Sequence, residues 1–120
     1  MPDFAHEVRR RLGSGWRALV PPLWHLEMAN GFAIGERRGL LTESQSERCL
    51  NDVQGLLASV IDGAAESISL RQALSVARTF RLTAYDAVYL ETARKEQVPL
   101  ATLDRALAQA AAKAGIPALR

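Results

Sequence analysis

Three carboxylates stand among residues that offer an acid little company. Asp86 lies within Arg81-Leu82-Thr83-Ala84-Tyr85-Asp86-Ala87-Val88-Tyr89-Leu90. Glu27 lies within Pro22-Leu23-Trp24-His25-Leu26-Glu27-Met28-Ala29-Asn30, and Asp104 ends the run Val98-Pro99-Leu100-Ala101-Thr102-Leu103. An acid buried without a partner is expensive, and few cations lie nearby in sequence to share that cost. Carboxylates gathered in one crevice raise one another's pKa unless a divalent cation neutralises them. Hard oxygen donors without thiols or clustered imidazoles select Mg²⁺ or Mn²⁺ over zinc. Such an ion supports phosphodiester hydrolysis, activating a water and stabilising charge on the transferring phosphate. Each acid also has a plainer reading: Asp86 as the third helical residue of a capping box, Asp104 as an N-cap, and Glu27 at the edge of a stripe with a route to water.

Other side chains add less. Thr102, two residues before Asp104 and on the same side of a strand, either hydrogen-bonds a metal-bound water or is a buried β-branched residue. His25 points about 100° to 200° around a helix from Glu27 and the stripe, which argues against a catalytic base. Trp16, Trp24 and Phe32 suit a core or an interface better than base stacking. Cys49 is the single cysteine, so no intrachain disulfide can form, and with His6 and His25 it cannot build a soft-ligand zinc site. Together with the absence of a secretory pattern or an apolar run near the ~20 residues that cross a membrane, this predicts a cytoplasmic protein with no membrane partner. Thirteen of the fifteen cations are arginines, with a run at Arg9, Arg10 and Arg11 and a pair at Arg37 and Arg38. They permit nucleic acid or an acidic protein segment as a partner, or simply form a solvated face.

The elements that must position the acids follow from caps and periodicity. At 120 residues, 48% apolar and 23% charged, the chain fits one globular domain over residues 1–120. Helical spacing of Phe4, Ala5, Val8 and Leu12 behind an Asp3 cap predicts a first helix over 2–12, and Trp16 to Val20 reads as a short strand. A helix over 22–38 carries Leu23, Leu26, Ala33 and Ile34 on one stripe and sets Glu27 against the core side. Thr42-Glu43-Ser44-Gln45, Ser69-Leu70-Arg71-Gln72 and Thr83-Ala84-Tyr85-Asp86 each have capping-box form and start helices. The third of these runs to about Gln97, is internal over its first turns, and emerges at Glu91. Ala58 to Ile61 is a weak strand before an Asp62-Gly63 turn. Val98 to Leu103 reads as a buried strand, Arg105 to Ala114 as the last helix and Ile116 to Leu119 as an edge strand. Strands alternating with helices, without hairpin signals, indicate an α/β fold with a parallel sheet, and ligands gather beyond the carboxyl ends of such strands.

Four segments carry a family likeness: residues 20–30, Glu36-Arg37-Arg38-Gly39-Leu40-Leu41, Leu82 through Leu90, and Pro99-Leu100-Ala101-Thr102-Leu103-Asp104. In order and spacing they resemble a PIN domain, in particular the VapC-type toxins of bacterial toxin–antitoxin pairs. The resemblance implies a three-layer fold with a central parallel sheet between helices. It also implies an endoribonuclease dependent on Mg²⁺ or Mn²⁺, with Glu27, Asp86 and Asp104 as metal-site acids, and Arg81 or Arg105 steering the RNA backbone. A cognate antitoxin whose tail lies across the groove, and a homodimer, are the implied protein partners. One departure stands out. Members of that family open with a buried strand ending in aspartate, and nothing before the first helix here supplies it, since Met1-Pro2 cannot form an apolar strand ahead of Asp3. The expectation is therefore an N-terminally short PIN-like domain, its first strand absent and its metal binding weakened. The alternative to an active nuclease is a catalytically impaired domain that only binds protein.

Overall fold

A computed structural model describes residues 2–64 and 67–119, with side chains from residue 6 onward. The order of elements is α1 (Pro2–Gly13), β1 (Ala18–Val20), α2 (Leu23–Arg37), α3 (Glu43–Ser59), β2 (Ile61–Gly63), α4 (Leu70–Phe80), α5 (Ala84–Glu96), β3 (Leu100–Ala101), α6 (Arg105–Lys113) and β4 (Ala118–Leu119). This is a helix-rich mixed α/β protein whose strands are short and parallel. The chain packs into two compact units. One comprises Arg10–Gly63; the other comprises the described residues of Met1–Arg9 and Ala64–Arg120.

Within the Arg10–Gly63 unit, β1 pairs in parallel with β2, with Ala18 opposite Ile61, Leu19 opposite Asp62 and Val20 opposite Gly63. The connection runs through α2 and α3, as a parallel pair requires. α3 begins with the expected box: the Thr42 hydroxyl accepts from the Gln45 N–H at 3.1 Å, and the Gln45 side chain accepts from the Thr42 N–H at 2.9 Å. Where α2 turns into α3, the Gly35 carbonyl accepts from both the Leu40 and Leu41 N–H groups. A Cβ at Gly35 would lie 2.9 Å from Leu41 Cδ1, so the missing side chain lets the turn fold back onto the helix. Arg17 clips the β pair together: Nε and Nη2 donate to the two Asp62 carboxylate oxygens at 2.6 and 2.8 Å, and Nη1 donates to the Ser59 carbonyl. Both tryptophans belong to this unit. Trp16 is exposed under the Arg11 guanidinium, 4.7 Å from its ring centre, and Trp24 meets the His25 ring edge-on.

The other unit holds a contiguous apolar core of Leu90, Ala93, Leu100, Leu107, Ala110, Ala111 and Ile116, with Val76, Phe80, Leu82 and Tyr89 packed against it. α4 and α5 form its main helical contact. Ser69 and Gln72 cap α4 reciprocally, and Thr83 caps α5 by accepting from the Asp86 N–H. α4 and α5 end with Arg81 and Gln97 in the left-handed region, at φ values of 56° and 57°. β3 and β4 pair in parallel, Leu100 opposite Ala118 and Ala101 opposite Leu119, across α6. α6 closes in a Schellman motif: Gly115 sits at φ 76°, its N–H donates to the Ala112 carbonyl, and the Ile116 N–H donates to that of Ala111. Both tyrosines lie in this unit, on α5.

Several expectations need correction. In place of a single central sheet, the described strands make two parallel pairs. α1 includes Asp3 instead of starting after it, while the side chains of Phe4 and Ala5 lie outside the described residues. Ala58 and Ser59 finish α3, so the strand falls on Ile61–Gly63, over the expected turn. β3 is only two residues long because Thr102 and Leu103 already bend toward the next cap. Glu91, expected where α5 meets solvent, is buried at 5% exposure.

Candidate functional site

Asp104 is held by local geometry. It follows β3 and caps α6, its Oδ1 accepting from the Leu107 N–H at 2.8 Å, and its own N–H donates to the Thr102 hydroxyl at 3.0 Å. The residue is exposed, and its position at the carboxyl end of a parallel strand leaves one carboxylate oxygen beyond the cap bond. Thr102 therefore serves as acceptor for the backbone of the capping residue. Asp86 stands in the first turn of α5, half-buried, where the helix dipole favours a negative charge. Its backbone N–H is taken by Thr83 at 3.1 Å.

Glu27 departs from expectation. The stripe of α2 is incompletely covered: Leu26 is 69% exposed, Ala33 is exposed, Leu23 and Ile34 are half-buried, and only Gly35 is fully buried. Glu27 is accordingly an exposed residue, not one set against a core. The periodicity was right about the helix, but a stripe becomes a buried face only where another element covers it. His25 is also exposed, and its ring meets Trp24 instead of an acid.

Asp86 and Asp104 belong to one unit and Glu27 to the other. Among the described residues, no three His, Cys, Asp or Glu side chains are grouped so as to hold a metal ion. The donor chemistry suits a hard divalent cation.

The acid in the driest surroundings is one that periodicity missed. Glu91 lies in the buried run Leu90–Ala93 of α5, and its Oε1 accepts from Arg94 Nε at 2.7 Å and also from Arg94 Nη2. Those bonds raise the guanidinium pKa of Arg94, chiefly through the hydrogen bond and then through the charge. An i,i+3 acid–arginine spacing was the available sequence signal. Beside it, the Thr92 hydroxyl is buried without a hydrogen-bond partner among the described residues, as is that of Ser46 on α3. Compared with known proteins, the sequence matches no family model and no curated protein.

Proposed function

We propose that the chain is a divalent-metal-dependent endoribonuclease of the PIN type, the toxin of a toxin–antitoxin pair. Its ion would be Mg²⁺ or Mn²⁺, with Asp86, Asp104 and Glu27 as the acids concerned. RNA, a cognate antitoxin and a second copy of the chain would be its partners. A PIN-like three-layer arrangement is part of the same proposal. The observation that carries it is Asp104, presented beyond the carboxyl end of β3 as the N-cap of α6, in the unit that also holds Asp86 at the start of α5. Parallel α/β structures place ligands beyond such strand ends. When bound, the cation would supply an activated water and charge stabilisation at the phosphate. The carboxylates of this chain contribute the negative oxygens, and the arginine-rich composition favours a phosphate backbone. The expected result is cleavage of an RNA oligonucleotide by the purified chain with Mn²⁺, stopped by chelator and reduced about a hundredfold or more in Asp86→Asn. Undiminished cleavage by Asp86→Asn would sink the assignment of the acid.

A second reading, a catalytically impaired domain that only binds protein, is favoured by the exposure of Glu27 and by the lack of a three-acid group among the described residues. It predicts no metal-dependent cleavage and no heat of Mn²⁺ binding in calorimetry.

A further inference from the structure

α4 has two faces of different character. Its inner face, with Ala73 buried and Val76 and Phe80 packed against the core, explains why the helix is there. Its outer face carries exposed leucines: Leu70 is 88% exposed and Leu74, one turn later, 45%. Together with Arg71, Ser75, Arg78 and Thr79 these leucines make up one open face of the helix. Arg71 and Arg78 stand two turns apart, and α4 contains no acid that could pair with either. Neither arginine makes an ion pair among the described residues. Thr79 turns its hydroxyl back to the Ser75 carbonyl at 2.9 Å, which leaves the leucines and guanidinium groups as the main recognition chemistry of the face.

We propose that this outer face of α4 docks an acidic amphipathic helix of a partner protein, its apolar residues over Leu70 and Leu74 and its carboxylates on Arg71 and Arg78. The charges select this occupant. A second copy placed by two-fold symmetry, α4 against α4, would bring four guanidinium groups together with no carboxylate among them. RNA would engage the arginines and leave the leucines in water. An acidic helix with apolar residues at i and i+4 covers both, one helix packed along another with charged flanks. The inference stands on α4 and holds whether or not the chain cleaves RNA.

The test uses the full chain and a fluorescein-labelled synthetic helix of about 18 residues, roughly five turns, with leucines at i, i+4 and i+7 flanked by glutamates. Saturable anisotropy is expected, weakened about tenfold by Arg71→Glu with Arg78→Glu and by a similar factor in Leu70→Ser. A glutamine version of the peptide should bind more weakly, and salt should weaken only the glutamate version. Because Leu70 is almost wholly exposed, Leu70→Ser keeps the fold, which circular dichroism checks. Failure of the peptide to bind, or equal binding of the glutamine version, overturns the proposal. So does binding of an RNA oligonucleotide that is lost in the arginine variant but untouched by Leu70→Ser, which would give the face to nucleic acid. Sedimentation showing a dimer abolished by Leu70→Ser would likewise overturn it, assigning the face to a second copy.

Discussion

The two units are built from the same parts, a short parallel strand pair joined through helices, yet they bury very different amounts of themselves. In the Ala64–Arg120 portion, Ala73, Ala87, Leu90, Ala93, Leu100, Leu107, Ala108, Ala110, Ala111 and Ile116 are buried. In Arg10–Gly63, full burial reaches only Val20, Pro21, Gly35 and Ser46, while Trp16, Leu26, Leu40, Leu50 and Leu56 are exposed. Apolar content runs the same way, but the size of the side chains differs too. In the better-packed unit alanines occupy the seam, so that α5 lies close to α6 and β3, and α6 to β4, around a core that includes Leu90 and Leu107. In the other, larger side chains are spread along α2 and α3, and the buried position on α2 is Gly35, against which Leu41 of the connecting turn folds. Close approach, as well as apolar count, turns a stripe into a core.

Substitutions in the two units should differ accordingly. Leu90, 2% exposed at the centre of the core, should lose about 2–5 kcal/mol of stability in Leu90→Ala, whereas Leu26→Ala should stay within about 0.5 kcal/mol. Equal losses in urea unfolding would erase the contrast. Next, Ala111→Leu should cost about 1–3 kcal/mol by overpacking the alanine seam, since Ala111 has no exposed surface. A neutral result would mean that the seam has room to spare. Arg81→Gly should gain roughly 0.5–1 kcal/mol, because arginine at a φ of 56° carries left-handed strain that glycine avoids. A destabilised variant would show that the arginine side chain offsets that strain. The smallest effect concerns Asp62, whose carboxyl is held below its ordinary range chiefly by the hydrogen bonds from Arg17. A depressed folded-state pKa contributes stability above the unfolded-state value, and that contribution is lost as pH falls through the folded value, on the acid side of the usual carboxylate range. In Arg17→Ala the Asp62 resonance in carbon-detected NMR should titrate at the ordinary pH; a titration that stayed low would dismiss the pair as its cause.

Local chemistry was the legible part. The caps at Thr42, Ser69, Thr83 and Asp104 place four helix starts correctly, since a cap is decided by a few neighbouring residues. Gly115 likewise marks the end of α6. What the sequence could not carry was coverage. Leu26 and Glu27 share the periodicity of a core face but are exposed, and Glu91 carries the signature of a surface acid but is buried beside Leu90. Strand lengths were overestimated for a related reason: the apolar run 98–103 spans β3, the Thr102 turn and the approach to the Asp104 cap, which hydropathy does not separate. Of the candidate site, the first-turn place of Asp86 and the cap at Asp104 were readable, whereas the exposure of Glu27 and Asp104, both expected in dry surroundings, was not.

The tryptophans and the tyrosines are sorted between the two units. Trp16 and Trp24 both fall in Arg10–Gly63, and Tyr85 and Tyr89 both fall in the unit that contains the core. Indole emission and the tyrosine ring resonances in NMR are thus separate reporters, one for each half, in the native sequence. Superimposable melting curves from the two would identify one cooperative molecule. If the indole signal changed first, the sparsely packed half would be loosening while its neighbour stayed intact.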